Sequence, residues 1–277
     1  MFKTLSYTVL GANGFLGQAL SHWLRERSHE VYTPSRHLSP AELANSLRGN
    51  VVYCIGMTAD FRSRPWDTVD AHVTVLRHLL AEGRYASLTY LSSTRVYLGC
   101  NSGHEDAILS VQPGELDQIF NLSKLMGESL CRIAHCPEKP VRIVRLSNVI
   151  GSDLSSDNFI YALLREALTN GVINLKSSLD SSKDYIALSD VVKMLELISC
   201  SGQALCYNLA SGLQTSNSEV VQAISKNTGA QVFVNEGAPR TVFPKIDIGR
   251  IEQEFNFKAL QPINYLNEIL FRHSDTP

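Results

Sequence analysis

Thr8-Val9-Leu10-Gly11-Ala12-Asn13-Gly14-Phe15-Leu16-Gly17 is the stretch on which the fold turns. Thr8 to Leu10 is a short β-branched and apolar run that stops at a glycine. Phe15, Leu16, Ala19, Leu20, Trp23 and Leu24 then recur at helical spacing. The glycines therefore lie in a strand–turn–helix, the context in which such a triplet acquires meaning. The first permits a tight turn, the second lets backbone approach a pyrophosphate, and the third lets helix and strand pack closely. Free N–H groups and the dipole at the helix N-terminus favour that anion. The spacing is G-x-x-G-x-x-G, one residue longer than the common G-x-G-x-x-G. Gly11, Asn13, Gly14, Phe15, Leu16 and Gly17 are accordingly candidate dinucleotide-binding residues, with a purely structural turn as the alternative.

Outward from the loop the pattern repeats. Val31-Tyr32 begins a second strand, Ala41 to Leu47 reads as a short helix, and Val51 to Ile55 is a continuous apolar run. A run of that kind fits a strand buried on both faces. Val69 to Leu80 reads as a helix, Ser87 to Ser92 as a strand, Leu116 to Ala134 as a long helix and Val141 to Leu146 as a strand. Alternation of this kind implies a mostly parallel sheet covered on both faces by right-handed crossovers. Further helices are expected over Phe159 to Leu168, ending near Gly171, and over Asp190 to Ile198. Ser216 with Glu219 forms a capping box for another, and Pro262 suits the first turn of a last one carrying Leu266, Ile269 and Leu270.

The second strand is followed by Pro34-Ser35-Arg36. An acidic residue there would hold the ribose 2′-OH of NAD, whereas arginine pairs with a 2′-phosphate. Arg36 thus favours NADP over NAD, the alternative being a solvated loop residue. Ile55, Gly56 and Met57 follow the third strand and should border the cofactor.

Composition narrows the classes. The 277 residues are 44% hydrophobic and 19% charged, ordinary for a soluble globular chain. A net charge of -2, with no basic stripe, gives no field for nucleic acid or an anionic membrane. No 18-residue apolar stretch exists, and Met1 to Leu10 is too short and polar for a secretory signal. Six scattered cysteines without a C-x-x-C pair read as reduced thiols, so a cytoplasmic location is expected. Cys131, His135 and Cys136 fit no zinc pattern, and no metal site is expected. His22, His72, His78 and His135 lie in helical stretches and read as exposed or satisfied structural histidines.

Ser92-Ser93-Thr94-Arg95-Val96-Tyr97 and Ser123-Lys124-Leu125-Met126-Gly127-Glu128, taken with the glycine loop, resemble the extended short-chain dehydrogenase/reductases. The closer resemblance is to the NAD-dependent epimerase/dehydratase branch, whose members modify nucleotide sugars. Arg145 to Gly151, Lys183 to Ile186 with Asp190 to Val192, and Tyr207 to Ala210 continue the series over nearly the whole chain. The resemblance implies an α/β, Rossmann-type doubly wound parallel sheet with a smaller C-terminal substrate-binding lobe. Residues 1–150 would form the dinucleotide domain, with 184–205 returning to it; 151–183 and 206–277 would form the lobe. The implied partner is a nucleoside-diphosphate sugar, and the helix Leu116 to Ala134 would offer a homodimer face.

In that family a Ser/Thr, a Tyr and a Lys run hydride and proton transfer. Ser93 and Lys124 match the first and last as catalytic residues, and Lys124 would also hold the nicotinamide ribose. The tyrosine position, four residues before Lys124, is Phe120. A phenyl ring has no proton to give, and the acid/base contribution it removes is worth about 10²- to 10⁴-fold. Three readings follow: another group such as Lys124 takes the proton; the protein binds but is catalytically silent; or the phenylalanine is an engineered, inactivating change. Thr94 and Arg95 stand where dehydratases of the family carry an acidic residue with a lysine, or an Asp-Glu pair, so 4-keto reduction or epimerisation is the expected chemistry. Arg36 tilts the choice to reduction, because cells keep NADPH reduced. Ser93, Tyr97, Asn148 and Lys183 are the expected substrate-binding residues, with a structural role as the equal alternative for Tyr97, a strand-end cap as the alternative for Asn148, and Arg240 a looser match. Asp184 is expected to order a turn.

Overall fold

The computed structural model describes residues 4–57, 60–151 and 158–274. The chain runs β1 (Ser6–Leu10), α1 (Phe15–Glu26), β2 (Glu30–Tyr32), α2 (Pro40–Ser46), β3 (Asn50–Tyr53) and α3 (Pro65–Val69). A π-helical segment (Asp70–Thr74) joins α3 to α4 (Val75–Glu82), followed by β4 (Ser87–Ser93) and a 3-10 turn (Thr94–Tyr97). Next come α5 (Ile119–Ala134), β5 (Val141–Leu146), β6 (Asn148–Ile150), α6 (Phe159–Asn170), β7 (Val172–Leu175), β8 (Ser182–Ala187) and α7 (Leu188–Ser201). The remainder is β9 (Cys206–Leu209), β10 (Gln214–Ser216), α8 (Asn217–Thr228), β11 (Gln231–Val234), α9 (Gly249–Phe255) and α10 (Pro262–Ser274).

Six parallel strands form the main sheet in the order β2-β1-β3-β4-β5-β9. This is the α/β, Rossmann-type doubly wound sheet expected above. Strand alternation explains its double burial. Tyr7 and Val9 point to a core closed by Leu20 and Leu24 of α1 and Val191, Leu195 and Ile198 of α7. Leu10, Val51 and Tyr53 point the other way, against Leu43 of α2, Leu76 and Leu79 of α4 and Cys131 of α5. Strand order reverses between β1 and its two neighbours, so a crevice opens at the carboxyl ends of β1 and β3.

A smaller lobe packs beside this layer. Its core joins Ile160 and Leu164 of α6, Ile173 of β7, Tyr185 of β8, Val220 and Ile224 of α8, and Leu266 and Ile269 of α10. The Ser216–Glu219 capping box is present, and Gly171 and Gly229 close α6 and α8 in the left-handed conformation.

Cys206–Leu209 corrects an expectation. It was placed in the lobe but pairs with β5, Ile143 opposite Cys206, as the outer strand of the main sheet. Ile251 of α9 likewise packs in the main core. A four-residue apolar strand carries no local mark of which sheet it joins; its partner lies some sixty residues earlier in the chain, and that pairing decides.

Candidate active site

The glycine loop has the form its sequence demands. Gly11 has φ +78°, and a Cβ there would lie 2.9 Å from the Cys54 carbonyl carbon at the end of β3. Gly17 faces back on β1: a Cβ would come 2.3 Å from the Gly11 carbonyl oxygen. Gly14 differs. It is exposed, and a Cβ there would find nothing nearer than 3.4 Å. The protein thus requires glycine at 11 and 17 for its own packing, while the open side of Gly14 faces outward, where a pyrophosphate would approach. Gly14 is also the N-cap of α1 and supplies no side chain to its free N–H groups. Asn13 is exposed beside it, and Phe15 and Leu16 begin the helix half-buried. This cradle fits a dinucleotide.

Arg36 follows β2, exposed and without a hydrogen bond or ion pair among the described residues. Ile55 is half-buried and Gly56 exposed just past β3, and a Cβ on Gly11 would lie 3.0 Å from the Ile55 nitrogen.

Lys124 comes from α5 and reaches back to the sheet, where its Nζ donates to the Leu91 carbonyl of β4 at 2.8 Å. The ammonium is 5.1 Å from the Tyr90 ring centroid and 5.9 Å from that of Phe120. A Cβ on Gly56 would be 3.6 Å from Nζ, so the amine lies beneath the exposed loop that borders the cofactor crevice. Burial pushes its pKa down to about 7, the Glu128 carboxylate partly opposing. Ser93 ends β4, half-buried, its Oγ accepting from the Arg95 N–H at 3.2 Å.

His72 stands at the centre of this group, on the π-helical segment. It is fully buried, its Nδ1 lies 2.8 Å from Ser123 Oγ, and its Nε2 accepts from the Met57 N–H at 3.3 Å. That acceptor role puts the proton on Nδ1, which donates to Ser123; the Ser123 hydroxyl then donates to the Phe120 carbonyl at 3.0 Å. Burial, with the Lys124 charge, pushes the His72 pKa down to about 2, so the ring is neutral. It ties the loop after β3 to α5 immediately beside Phe120, whose ring it meets edge-on at 5.3 Å. The sequence contained a signal for this placement: His72 precedes Leu76, Leu79 and Leu80 at helical spacing and so shares their buried face.

The model of the NAD dependent epimerase/dehydratase family matches residues 7–210. The chain belongs to this family. No curated protein sequence matches it. Solved structures share the fold at low identity. MoeE5 in complex with UDP-glucose and NAD is 19% identical over 98% of this chain and 100% of that one, with a TM-score of 0.82. A tyrosine-to-phenylalanine mutant of UDP-glucuronic acid 4-epimerase from Bacillus cereus, in complex with a fluorinated UDP-sugar and NAD, is 16% identical, covers 97% and 100%, and has a TM-score of 0.80. RMD from Pseudomonas aeruginosa complexed with NADPH is 22% identical, covers 97% and 98%, and has a TM-score of 0.78.

Of the two roles expected for Tyr97, pocket wall and structural, the structure shows the structural one. Its ring is fully buried, and its hydroxyl donates to Asn208 Oδ1 at 2.8 Å and accepts from Arg145 Nη1 at 2.8 Å. Arg145 also pairs with the Glu128 carboxylate at 2.7 Å, and Ser92 donates to Glu128 at 2.6 Å. This buried network consumes the phenol in joining β4, β5 and β9.

Asn148 is exposed at the start of β6, its amide donating to the Asp184 carbonyl at 2.8 Å. Lys183 lies on β8 with its ammonium 4.5 Å from the Phe159 ring centroid. Asp184 orders a turn, accepting from the Ser147 and Ser211 hydroxyls and from the Ser211 and Leu213 N–H groups. Arg240 is exposed. Among the described residues no helix is long and apolar enough to cross a membrane, and no His/Cys/Asp/Glu group has metal-binding geometry.

Proposed function

We propose that this chain binds NADP in preference to NAD, together with a nucleoside-diphosphate sugar, and carries out 4-keto reduction or epimerisation, with Lys124 taking the proton-transfer role that Phe120 cannot fill. The observation that carries this reading is the Lys124 amine, buried against Leu91 below Gly56 and beside the Phe120 ring. A bound nicotinamide dinucleotide supplies or accepts the hydride. Ser93, at the end of β4, holds the sugar oxygen at the carbon that changes oxidation state. Lys124 gives a proton from Nζ to that oxygen as the carbonyl becomes a hydroxyl, and solvent returns it. A lysine that titrates near neutrality is suited to that exchange. Neutral His72 acts as a positioning residue, holding α5 and the loop after β3 in register. Asn148 and Lys183 take the substrate diphosphate, Lys183 as a point charge without an arginine fork. Met126 and Ile133, exposed on α5, support a homodimer through that helix.

The deciding experiment incubates the protein with NADPH and nucleoside-diphosphate 4-keto sugars. Stoichiometric loss of NADPH with formation of a hydroxyl sugar identifies a reductase. Sugar inversion without net loss identifies an epimerase. Binding of both ligands with neither outcome establishes the second reading, a silent dinucleotide and nucleotide-sugar binder, which Phe120 by itself favours.

A further inference from the structure

Among the described residues Arg95 is a charge without a paired carboxylate. It stands two residues beyond Ser93, in the 3-10 turn at the carboxyl end of β4. Its guanidinium carbon is 5.3 Å from the Phe61 ring centroid and 5.9 Å from that of Phe120, and those two rings pack on each other at 5.3 Å. Its Nε is buried and has no hydrogen-bond partner. No carboxylate pairs with it among the described residues. Asp117, the acid whose field reaches it, is already gripped by Arg62 through Nε at 2.6 Å and Nη2 at 2.5 Å.

The Arg95 charge also reaches Lys183 of β8, whose ammonium lies 4.5 Å from the Phe159 ring centroid. Burial, and then the Arg95 charge, push its pKa below the ordinary lysine value. Burial, and then the Arg62 charge, push that of Arg95 down as well. Two partly buried like charges, close enough to repel and lacking an anion between them, are costly in the free protein. A ligand anion would relieve that cost. Phe120 is the ring four residues before Lys124, so Arg95 lies beside the end of the crevice where the proposed chemistry takes place. Its planar fork matches a carboxylate. A ring without a hydroxyl also gives the guanidinium a flat apolar bed.

We infer that Arg95 is a specificity residue that binds a carboxylate carried on the sugar, so that the substrate is a nucleoside-diphosphate uronate and not a neutral nucleotide sugar. This rests on the nucleotide-sugar reading above, with Lys183 on the diphosphate and Arg95 on the sugar.

The test is calorimetric titration of the NADP-loaded protein with UDP, UDP-glucose and UDP-glucuronate, repeated with the dTDP series. The wild type binds the glucuronate about 10- to 100-fold more tightly than the glucose, the range for a hydrogen bond to a charged group. Arg95→Met removes that preference and leaves the affinity for the nucleoside diphosphate within about twofold. Arg95→Lys restores part of the preference, since the charge returns without the fork. Unchanged NADP affinity and thermal midpoint report that each variant folds. Equal binding of both sugars by the wild type overturns the inference, as does an Arg95→Met loss equally large for UDP alone, which would make Arg95 a diphosphate ligand. If no nucleotide of either series binds the NADP-loaded protein, the nucleotide-sugar reading itself falls.

Discussion

The two ends of the cofactor crevice obey different rules. At the glycine loop every residue follows from backbone geometry. Gly11 needs its positive φ, Gly17 needs the absence of a Cβ, and Gly14 leaves its outer side open. At the far end Phe120 packs against Phe61 and His72, His72 is buried neutral on a π-helical segment, and the buried Arg95 Nε has no hydrogen-bond partner among the described residues. The first end is set by the chain's own close packing at Gly11 and Gly17 and tolerates little change there. The second brings together side chains from the π-helical segment, the 3-10 turn and α5, and the proposed chemistry rests on them.

The sharpest way to break the contrast is to remove the amine. Lys124→Met is expected to lower turnover about 10²- to 10⁴-fold while the protein stays folded. In the wild type the reduction rate should fall as pH rises through about 7, because the proton donor is then lost. A linked effect appears in stability. The folded-state pKa lies below the ordinary 10.5, so the unfolded chain binds the extra proton between the two values. This group's contribution to stability therefore rises with pH over that window, and Lys124→Met should stabilise more at pH 6 than at pH 10 in urea melts. The absence of any pH-dependent difference would remove the buried amine from the argument.

The glycines sharpen the other side of the contrast. Gly17→Ala drives a methyl into the Gly11 carbonyl and should cost about 3 kcal/mol or more, read as a lowered denaturation midpoint. Gly14→Ala meets no protein atom nearer than 3.4 Å and should leave that midpoint nearly unchanged while dinucleotide affinity drops. Equal behaviour of the two variants would mean that Gly14 is structural as well.

Smaller effects follow. His72 stays neutral when folded but protonates near 6.5 when unfolded, so acid draws the chain toward the unfolded state. Below pH 6.5 this one group removes up to about 1.4 kcal/mol per pH unit. His72→Asn should flatten that slope between pH 6.5 and 5 in denaturant titrations. The mildest change is Arg36→Ala, expected to weaken NADPH about tenfold and NADH hardly at all. Equal wild-type affinities for the two cofactors would refute the role given to Arg36.

Legibility in the sequence tracked the range of the interaction. The strand–turn–helix at Gly11 to Gly17 and the capping box at Ser216 were readable, because each is fixed by neighbours in sequence or by a short motif. The role of Tyr97 stayed open between pocket and structure because its partners, Arg145 and Asn208, come from strands that local pattern does not bring together. β9 was misplaced for the same reason. The sequence by itself determined the alternating α/β plan, the glycine turn between β1 and α1, and the phenylalanine four residues before Lys124. Only the tertiary structure decided that His72 would join Met57 to Ser123, and that Arg95 would rest on two phenylalanines without an anion. Periodicity reports which face of an element is buried, but not which charges meet across the interface once sheet pairing has closed it.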